Sequence, residues 1–237
     1  MNEIPKIIHQ IWSGIDGPLP KHFEVLGDTW KKHHPDWEYR LWDNQKMNDF
    51  VLSYYPQYWK TYNSFRYNVQ RWDAIRYLIL DTIGGLYVDF DSECFKPLDE
   101  LLERKECCFS LEPEEHQRMY DTELYFNNAL MASVPKHPFM KEVIKKTFDY
   151  RPSVADTDDV LSTTGPLMLV DCYLKWKDKE HIYLIPPEYT SPLTRQEGFA
   201  KLKGDESKEI KEKLKEAYSI HYFFNGWVAQ TLINKDA

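Results

Sequence analysis

Apolar side chains recur at helical spacing through residues 71–83, RWDAIRYLILDTI. Positions three or four residues apart share one face of a helix, so these side chains form a single apolar stripe. The stripe consists of Trp72, Ile75, Ile79 and Ile83. Asp73 and Arg76 fall elsewhere on the cylinder, one turn apart, where they can form an ion pair. The pattern predicts a helix that carries a paired acid and base.

Two glycines, Gly84 and Gly85, follow this helix directly. Glycine adopts the left-handed conformation that closes a helix, so the chain can turn sharply here. Residues 86–91, LYVDFD, then alternate as a strand does, with acidic side chains on one face and apolar side chains on the other. The first face carries Tyr87, Asp89 and Asp91, and the second carries Leu86, Val88 and Phe90.

The two carboxylates of this strand, Asp89 and Asp91, would repel each other. Each would raise the pKa of the other unless a cation lay beside them. Hard divalent cations such as Mg²⁺ and Mn²⁺ prefer such oxygen ligands, and Mg²⁺ typically combines one or two carboxylates with substrate phosphates. The sequence therefore predicts a metal site that holds a phosphorylated substrate.

Short apolar strands alternate with helices along the rest of the chain. Strands are predicted over residues 4–12, 37–42, 107–111, 125–133 and 182–187. Helices are predicted over residues 23–33, 137–150, 167–176 and 205–217, and the last of these is expected to be a solvated helix. A helical turn is predicted at 99–102, a loop at 112–123 and a small helical insertion at 44–70. The β-α-β start predicts a single α/β domain over residues 1–237, in which helices flank a mostly parallel central sheet.

The composition argues against several classes of protein. The chain has 237 residues, of which 42% are hydrophobic and 15% aromatic, and this argues against disorder. A net charge of −8 argues against a nucleic-acid partner. No apolar run approaches the ~20 residues of a membrane span. The four cysteines form no zinc-type pairs, so we expect reduced thiols in a cytoplasmic protein.

One block of this sequence resembles the core of the DXD sugar-transferase family, glycosyltransferase family 32. The block consists of Asp73, Arg76, the two glycines, Tyr87 and the D-F-D triplet at 89–91. This family includes the yeast initiating mannosyltransferases and bacterial capsule enzymes, and the block is also similar to the glucosylating domains of large clostridial toxins. The resemblance implies a GT-A-type fold and a Mn²⁺ or Mg²⁺ cofactor. It further implies transfer of a hexose from a nucleotide-diphosphate sugar, UDP-hexose in preference to GDP-mannose, with retention of the anomeric configuration.

Catalytic and metal-binding roles follow from this resemblance for five residues. Asp91 is implied as a direct metal ligand, and Asp89 as a bridge between the metal and hydroxyls of the ribose or sugar. His221 would complete the metal or diphosphate site. Asp73 would accept hydrogen bonds from sugar hydroxyls, and Arg76 would hold the sugar or a phosphate.

The resemblance also implies a set of donor-binding residues. Trp12, at the end of the first strand, would stack on the donor base, although an isolated tryptophan is more often a core residue. Tyr87 would line the donor site. Asn128, in preference to Asn127, would contact the donor sugar or the acceptor. Trp227, six positions after the predicted metal-binding histidine, would lie near the departing phosphate oxygen.

Two local patterns leave alternatives open. Many relatives have a serine immediately before the tryptophan, where this chain has Gly226, so water or Asn225 would replace a serine oxygen. The Thr-Thr-Gly-Pro sequence at 163–166 begins a helix, and its threonine is either an ordinary N-cap or part of a site that receives a hydroxyl or phosphate.

Two other classes of function compete with a transferase. An apolar strand followed by D-x-D also opens the haloacid-dehalogenase phosphatases, but these normally have Thr or Val where this chain has Glu93. A catalytically silent glycan-binding module would explain the aromatic residues without any chemistry. It predicts that ligand binding survives removal of Asp91, whereas a transferase loses metal-dependent nucleotide binding.

The acceptor is expected to be a glycan or lipid-linked saccharide, such as an intermediate of bacterial capsule or surface polysaccharide. A lipid-linked acceptor requires transient visits to the inner face of the membrane, although no dedicated amphipathic helix is recognisable. No carboxylate is an obvious covalent nucleophile, so the hypothesis for the chemistry is front-face displacement beside the leaving phosphate.

Overall fold

A computed structural model describes residues 3–120, 122–149 and 158–224 of the chain. These residues form eight strands: β1 Ile7–Ile11, β2 Glu38–Trp42, β3 Gly85–Val88, β4 Ser92–Cys94, β5 Cys107–Leu111, β6 Phe126–Ser133, β7 Ile182–Ile185 and β8 Ser219–His221. The helices that precede β4 are α1 Lys21–His33, α2 Asn44–Tyr54, α3 Trp59–Ser64 and α4 Asn68–Thr82, with a 3₁₀ turn at Pro56–Tyr58. The later helices are α5 Asp99–Leu102, α6 Glu114–Met119, α7 Pro138–Phe148, α8 Asp158–Thr163, α9 Pro166–Lys175, α10 Pro187–Thr190, α11 Arg195–Leu202 and α12 Lys208–Leu214, with a 3₁₀ turn at Lys179–His181.

The central sheet has six strands in the order β2-β1-β3-β6-β5-β7. The pairs β1–β2, β1–β3 and β5–β7 are parallel, whereas β6 pairs antiparallel with both β3 and β5. Five strands therefore run in one direction and β6 runs in the other. The predicted α/β fold with a mostly parallel sheet is confirmed.

Apolar side chains cover both faces of this sheet. Tyr87 and Met131 pack on the face covered by α4, α7 and α9. Leu86 and Leu130 pack on the opposite face, where Trp30 of α1 joins them. Adjacent residues of β3 and β6 thus alternate between two cores, as the pleat of a strand requires.

The strand that carries the D-F-D triplet ends earlier than predicted. β3 stops at Val88, and the predicted strand through residue 91 is wrong. The backbone N–H of Asp89 still bonds to the carbonyl of Ala129, at 2.8 Å, after which the chain turns and re-enters a sheet as β4. Phe90 is buried at this turn and packs against the rings of Trp12 and Phe23. The turn carries the acidic pair from the central sheet to the two-stranded sheet β4–β8.

Two other segments differ from the sequence-based expectation. Residues 112–123, predicted as a loop, contain α6, whose His116 is buried and bonded to Glu112. The predicted solvated helix at 205–217 is the shorter α12, and its Ile210 is buried, so this helix is not wholly solvated. Both segments also make long-range contacts that a charged local sequence does not reveal, since His116 packs against Phe223 and Ile210 belongs to one apolar cluster with Ile220.

The segment after β2 is helical, with α2, a 3₁₀ turn and α3 preceding α4. Whether residues 44–70 form a separate insertion stays a prediction, as does the assignment of one domain to residues 1–237. Among the described residues, no helix is both long and apolar enough to cross a membrane.

The glycine turn between α4 and β3 fits tightly against β1. Gly84 and Gly85 have φ angles of +73° and +101°, a region that favours glycine. A Cβ on Gly85 would lie 2.6 Å from the carbonyl oxygen of Ile7 and 3.1 Å from Nε2 of His9. The close approach of two backbones, rather than the turn alone, therefore requires glycine here.

A buried histidine fastens this turn. Nδ1 of His9 accepts a hydrogen bond from Nε1 of Trp42 at 3.1 Å, so the ring proton lies on Nε2, which donates to the carbonyl of Gly84 at 2.9 Å. Burial lowers the pKa of His9 to about 4 and thereby keeps the ring neutral.

We expect Gly85→Ala to lower the free energy of unfolding by about 3 kcal/mol, because strained backbone and a clash with Ile7 add together. Gly204→Ala is the matched control, since Gly204 has a φ of +92° with nothing within 4 Å of its Cβ position. Because only the backbone strain acts in Gly204→Ala, this substitution should lower the free energy of unfolding by about 1 kcal/mol. Urea unfolding measures both, and equal losses would show that the close approach to β1 is unimportant.

Candidate active site

A cavity of about 510 Å³ opens at one edge of the central sheet. The carboxyl ends of β1 and β3 lie at this edge, and the reversal of β6 brings its amino end to the same place. The cavity lining includes eight predicted site residues: Trp12, Asp73, Arg76, Tyr87, Asp89, Asp91, Asn128 and His221. Asn127 also lines it. The predicted residue Trp227, like Gly226 and Asn225, lies outside the described residues.

Arg76 of α4 lies at the centre of the polar contacts in this cavity. Its Nη2 is 3.2 Å from Oδ1 of Asp73, and its Nη1 is 3.3 Å from Oδ1 of Asp89. Nη1 also donates to the backbone carbonyl of Asn128 at 2.8 Å, and the guanidinium lies 4.5 Å from the centre of the Tyr87 ring. The residue is 5% exposed. This is a buried ion-pair network and not the surface i,i+3 pair that the helical spacing alone would suggest.

Asp73 is equally buried, and both of its oxygens accept hydrogen bonds. Oδ1 accepts from the amide of Asn128 at 2.9 Å, and Oδ2 accepts from the hydroxyl of Thr164 at 3.0 Å. Burial raises the pKa of Asp73 to about 6, against the opposing effect of the Arg76 charge. The hydrogen bonds from Asn128 and Thr164 fix the orientation of this carboxylate.

Of the two alternatives left open for the Thr-Thr-Gly-Pro sequence, the N-cap is contradicted, and a site that receives a hydroxyl or phosphate stays a prediction. Gly165 is the N-cap of α9, and no side chain caps this helix, so the interpretation of a threonine N-cap is wrong. The hydroxyl of Thr164 reaches Asp73 instead, while its carbonyl accepts from the hydroxyl of Tyr77 at 2.7 Å. The residue that precedes the N-cap of α9 thereby contacts both Asp73 and Tyr77 of the buried network.

The acidic pair meets His221 in a cluster with the character of a metal site. Asp89, Asp91 and His221 each offer a ligand atom, and these atoms lie within 4.8 Å of one another. The pairing of β4 with β8 sets His221 opposite Ser92, next to the acidic turn. The hydroxyl of Tyr87 donates to Oδ1 of Asp89 at 2.5 Å and orients that carboxylate.

The two carboxylates have opposite pKa shifts. Burial raises the pKa of Asp89, and the nearby charge of Asp91 adds to the increase, while Arg76 opposes it. Burial also acts to raise the pKa of Asp91, but His221 and the backbone N–H of Phe224 outweigh it, so that this pKa is lowered. Like charges held this close favour a cation between them.

His221 provides an independent test of whether these residues fit a metal. Its Nε2 lies 3.1 Å from Oδ1 of Asp91. Its Nδ1 is buried and has no hydrogen-bond partner among the described residues. Since Nε2 faces Asp91, the imidazole and the two carboxylates together form a donor set that fits a divalent cation.

Trp12 forms one wall of the cavity within an aromatic cluster. Its ring lies 5.6 Å from that of Phe23 and 6.3 Å from that of Phe90, and its Nε1 donates to the carbonyl of Gly17 at 3.0 Å. These contacts fix the ring at the cavity edge. Its role in stacking on a base stays a prediction.

Sequence reasoning leaves out Glu112, His116 and Arg195, which also line the cavity. The first two fall in the predicted loop at 112–123, and α11, which begins at Arg195, was not predicted. A signal for α11 exists, because Thr194 and Glu197 have the spacing of a capping box and form one in the structure.

Known proteins resemble this chain in sequence and in fold. A family model described as a glycosyltransferase sugar-binding region containing a DXD motif matches residues 20–108. Inositol phosphoceramide mannosyltransferase 1 of Schizosaccharomyces pombe is 32% identical over 182 residues, which is 74% of this chain and 53% of that protein. The mannosyl phosphorylinositol ceramide synthase SUR1 of Saccharomyces cerevisiae is 33% identical over 175 residues, 73% of this chain and 43% of that protein. This chain thus spans about half the length of these relatives.

The solved structure of PaToxG glycosyltransferase superposes with a TM-score of 0.57 at 17% identity, and the match covers 92% of this chain and 86% of that one. At this identity the likeness concerns the fold alone. Together with the mostly parallel sheet it confirms the predicted GT-A-type architecture.

We expect Thr164→Val to destabilise the protein by about 1–3 kcal/mol, because Oδ2 of the buried Asp73 loses its donor. Thr147→Val is the matched control, since Thr147 is also fully buried but donates only to a helical carbonyl, that of Val143. Urea unfolding should show a loss of less than about 1 kcal/mol for the control. Equal losses would mean that the hydroxyl of Thr164 does not stabilise Asp73.

Proposed function

This chain belongs to the DXD-motif sugar-transferase family, and we propose on that basis that it is a metal-dependent glycosyltransferase. It transfers a hexose from a nucleotide-diphosphate sugar to a hydroxyl of a glycan or lipid-linked saccharide, with retention of configuration. One observation carries the proposal: the Asp73–Arg76 network and the Asp89, Asp91 and His221 cluster line the same cavity.

Asp89, Asp91 and His221 would hold the cation. A histidine nitrogen among the donors favours Mn²⁺ over Mg²⁺, which prefers oxygen ligands and several waters. When bound, the metal supplies Lewis-acid stabilisation of the charge that develops on the departing diphosphate.

The buried network orients the donor sugar. Arg76 is held by carboxylates on two elements, so its position is set before substrate arrives. Asn128 donates through its amide to both Asp73 and the hydroxyl of Tyr77, which fixes its side chain in the cavity wall. A sugar hydroxyl bound here meets groups that need no rearrangement.

The names of the relatives refine the donor and the acceptor. Both are named for mannose transfer or mannosyl products on inositol phosphoceramide, which favours GDP-mannose over UDP-hexose and a phosphate-bearing lipid acceptor. An acceptor of this kind would bring the protein to a membrane surface. A role in bacterial capsule synthesis and a cytoplasmic location stay predictions from the sequence.

Retention by front-face displacement is consistent with the surroundings of Asp73. A covalent nucleophile needs an oxygen that can approach the anomeric carbon. Both oxygens of Asp73 already accept hydrogen bonds, and Arg76 neutralises the charge. The attacking group is therefore the acceptor hydroxyl and not this carboxylate.

We expect an α-configured donor to give an α-configured product, observed as the anomeric signal in proton NMR, and no glycosylated peptide that contains Asp73 in mass spectra. A sample without acceptor serves as the control, because a covalent intermediate would accumulate there. An inverted product, or a sugar adduct on Asp73, would contradict front-face displacement.

Donor binding should depend on both the metal and Asp91. With a donor at about 100 times its dissociation constant, a thermal-shift assay with Mn²⁺ should show a rise in Tm of roughly 5 °C. EDTA or Asp91→Asn should abolish the rise, since Asp91 is one of three candidate ligands. Asp171→Asn is the control, because Asp171 forms only an exposed pair with Lys175.

Testing UDP- and GDP-sugars side by side identifies the donor. Stabilisation that survives in Asp91→Asn without metal would favour a glycan-binding module over a transferase. Release of phosphate from aryl phosphates would favour a phosphatase.

A further inference from the structure

Arg195 is the first residue of α11, and its side chain is exposed while lining the cavity. Its guanidinium lies 5.5 Å from the centre of the Phe199 ring. Within the described part of the chain, no carboxylate pairs with it. An unpaired guanidinium on the wall of a reaction cavity is available to a ligand.

The other charges of the cavity make this cation distinctive. From the described part of the chain, five carboxylates line it: Asp16, Asp73, Asp89, Asp91 and Glu112. Among the described residues, Arg76 and Arg195 are the only lysine or arginine side chains in the lining. Arg76 is buried and already bound to two carboxylates and two carbonyls, so among the described lysines and arginines of the lining only Arg195 has no carboxylate partner.

A chain of contacts sets the position of Arg195 in the wall. Its backbone N–H donates to Nε2 of His116 at 3.4 Å, so the ring proton lies on Nδ1, which donates to Glu112 at 2.7 Å. The His116 ring packs edge-on against Phe223 at 4.6 Å, and Phe223 packs against His221 at 4.1 Å. The start of α11 is thus linked through His116 and Phe223 to the side of the cavity that carries His221.

The helix terminus itself is already satisfied. The hydroxyl of Thr194 accepts from the N–H of Glu197, whose carboxylate accepts from the N–H of Thr194. With the N–H of Arg195 directed at His116, the guanidinium is the group left to bind a ligand.

We propose that Arg195 binds a phosphoryl group of the substrate and thereby determines which substrates the cavity accepts. The planar guanidinium matches two phosphate oxygens, which a lysine ammonium cannot do. This assignment rests on the proposed glycosyl transfer, in which a phosphoryl group enters either with the nucleotide-diphosphate donor or with a phosphate-bearing acceptor.

Isothermal calorimetry on the whole chain tests the assignment and separates the two sources. The probes are GDP and UDP with Mn²⁺ for the donor, and myo-inositol 1-phosphate for the acceptor. Arg195→Gln removes the charge and should weaken binding of one class of probe about tenfold, with the other unchanged. Arg195→Lys should recover part of the loss, and the contact should weaken as salt is raised.

Lys203→Gln is the matched control, because Lys203 follows α11, is exposed and does not line the cavity. It makes the same change in net charge and should leave all affinities unchanged. Weaker nucleotide binding in Arg195→Gln assigns the residue to the donor, and weaker inositol phosphate binding assigns it to the acceptor. Unchanged affinity for every probe, or an equal loss in Lys203→Gln, would overturn the assignment.

The same titrations distinguish a wrong role for Arg195 from a wrong assignment of the protein as a glycosyltransferase. If wild type and Arg195→Gln bind nucleotide equally and only with metal, the transferase proposal stands and the role of Arg195 on the donor is refuted. If wild type shows no metal-dependent nucleotide binding, the transferase proposal fails, and the inositol phosphate titration still decides whether Arg195 binds a phosphoryl group.

Discussion

The arrangement of the cavity depends on the burial of one cation, the guanidinium of Arg76. A buried charge must be paired and hydrogen-bonded, since removing one partner of such a pair costs about 3–5 kcal/mol. The partners come from three elements: Asp73 from α4, Asp89 from the turn after β3, and the carbonyl of Asn128 from β6. Satisfying this one side chain therefore holds together the elements that form the site. Stability and catalytic geometry are coupled at this point.

The reversal of β6 and the early end of β3 complete the site. Because β6 runs against its neighbours, Asn127 and Asn128 at its start meet the residues that follow β1 and β3. Because β3 ends at Val88, the chain can turn and form β4, whose partner β8 carries His221. A strand extended through residue 91 would have kept the acidic pair on one sheet and away from that histidine. The turn is what brings residues separated by 130 positions into one cluster.

The local patterns of the chain were sufficient to predict much of this arrangement. Helical spacing located α4, the glycine pair located its end, and alternation correctly assigned Tyr87 and Leu86 to opposite faces. Tertiary partners decided the rest. The strand end at Val88 depends on a turn packed by Phe90, and α6 is held by the packing of His116 against Phe223, 107 positions away. The hydroxyl of Thr164 bonds to a carboxylate 91 positions away, which no local rule for helix caps could reveal.

X-ray diffraction from crystals grown with Mn²⁺ and a nucleoside diphosphate tests the metal site directly, because the anomalous signal of manganese locates the ion. We expect one strong peak bonded to a carboxylate oxygen of Asp91, next to Asp89 and His221, with phosphate oxygens among its ligands. A peak only at another group, such as the exposed Asp178, Glu180 and His181, would show that Asp89, Asp91 and His221 are not the metal site. So would a nucleotide bound in this cavity without the ion.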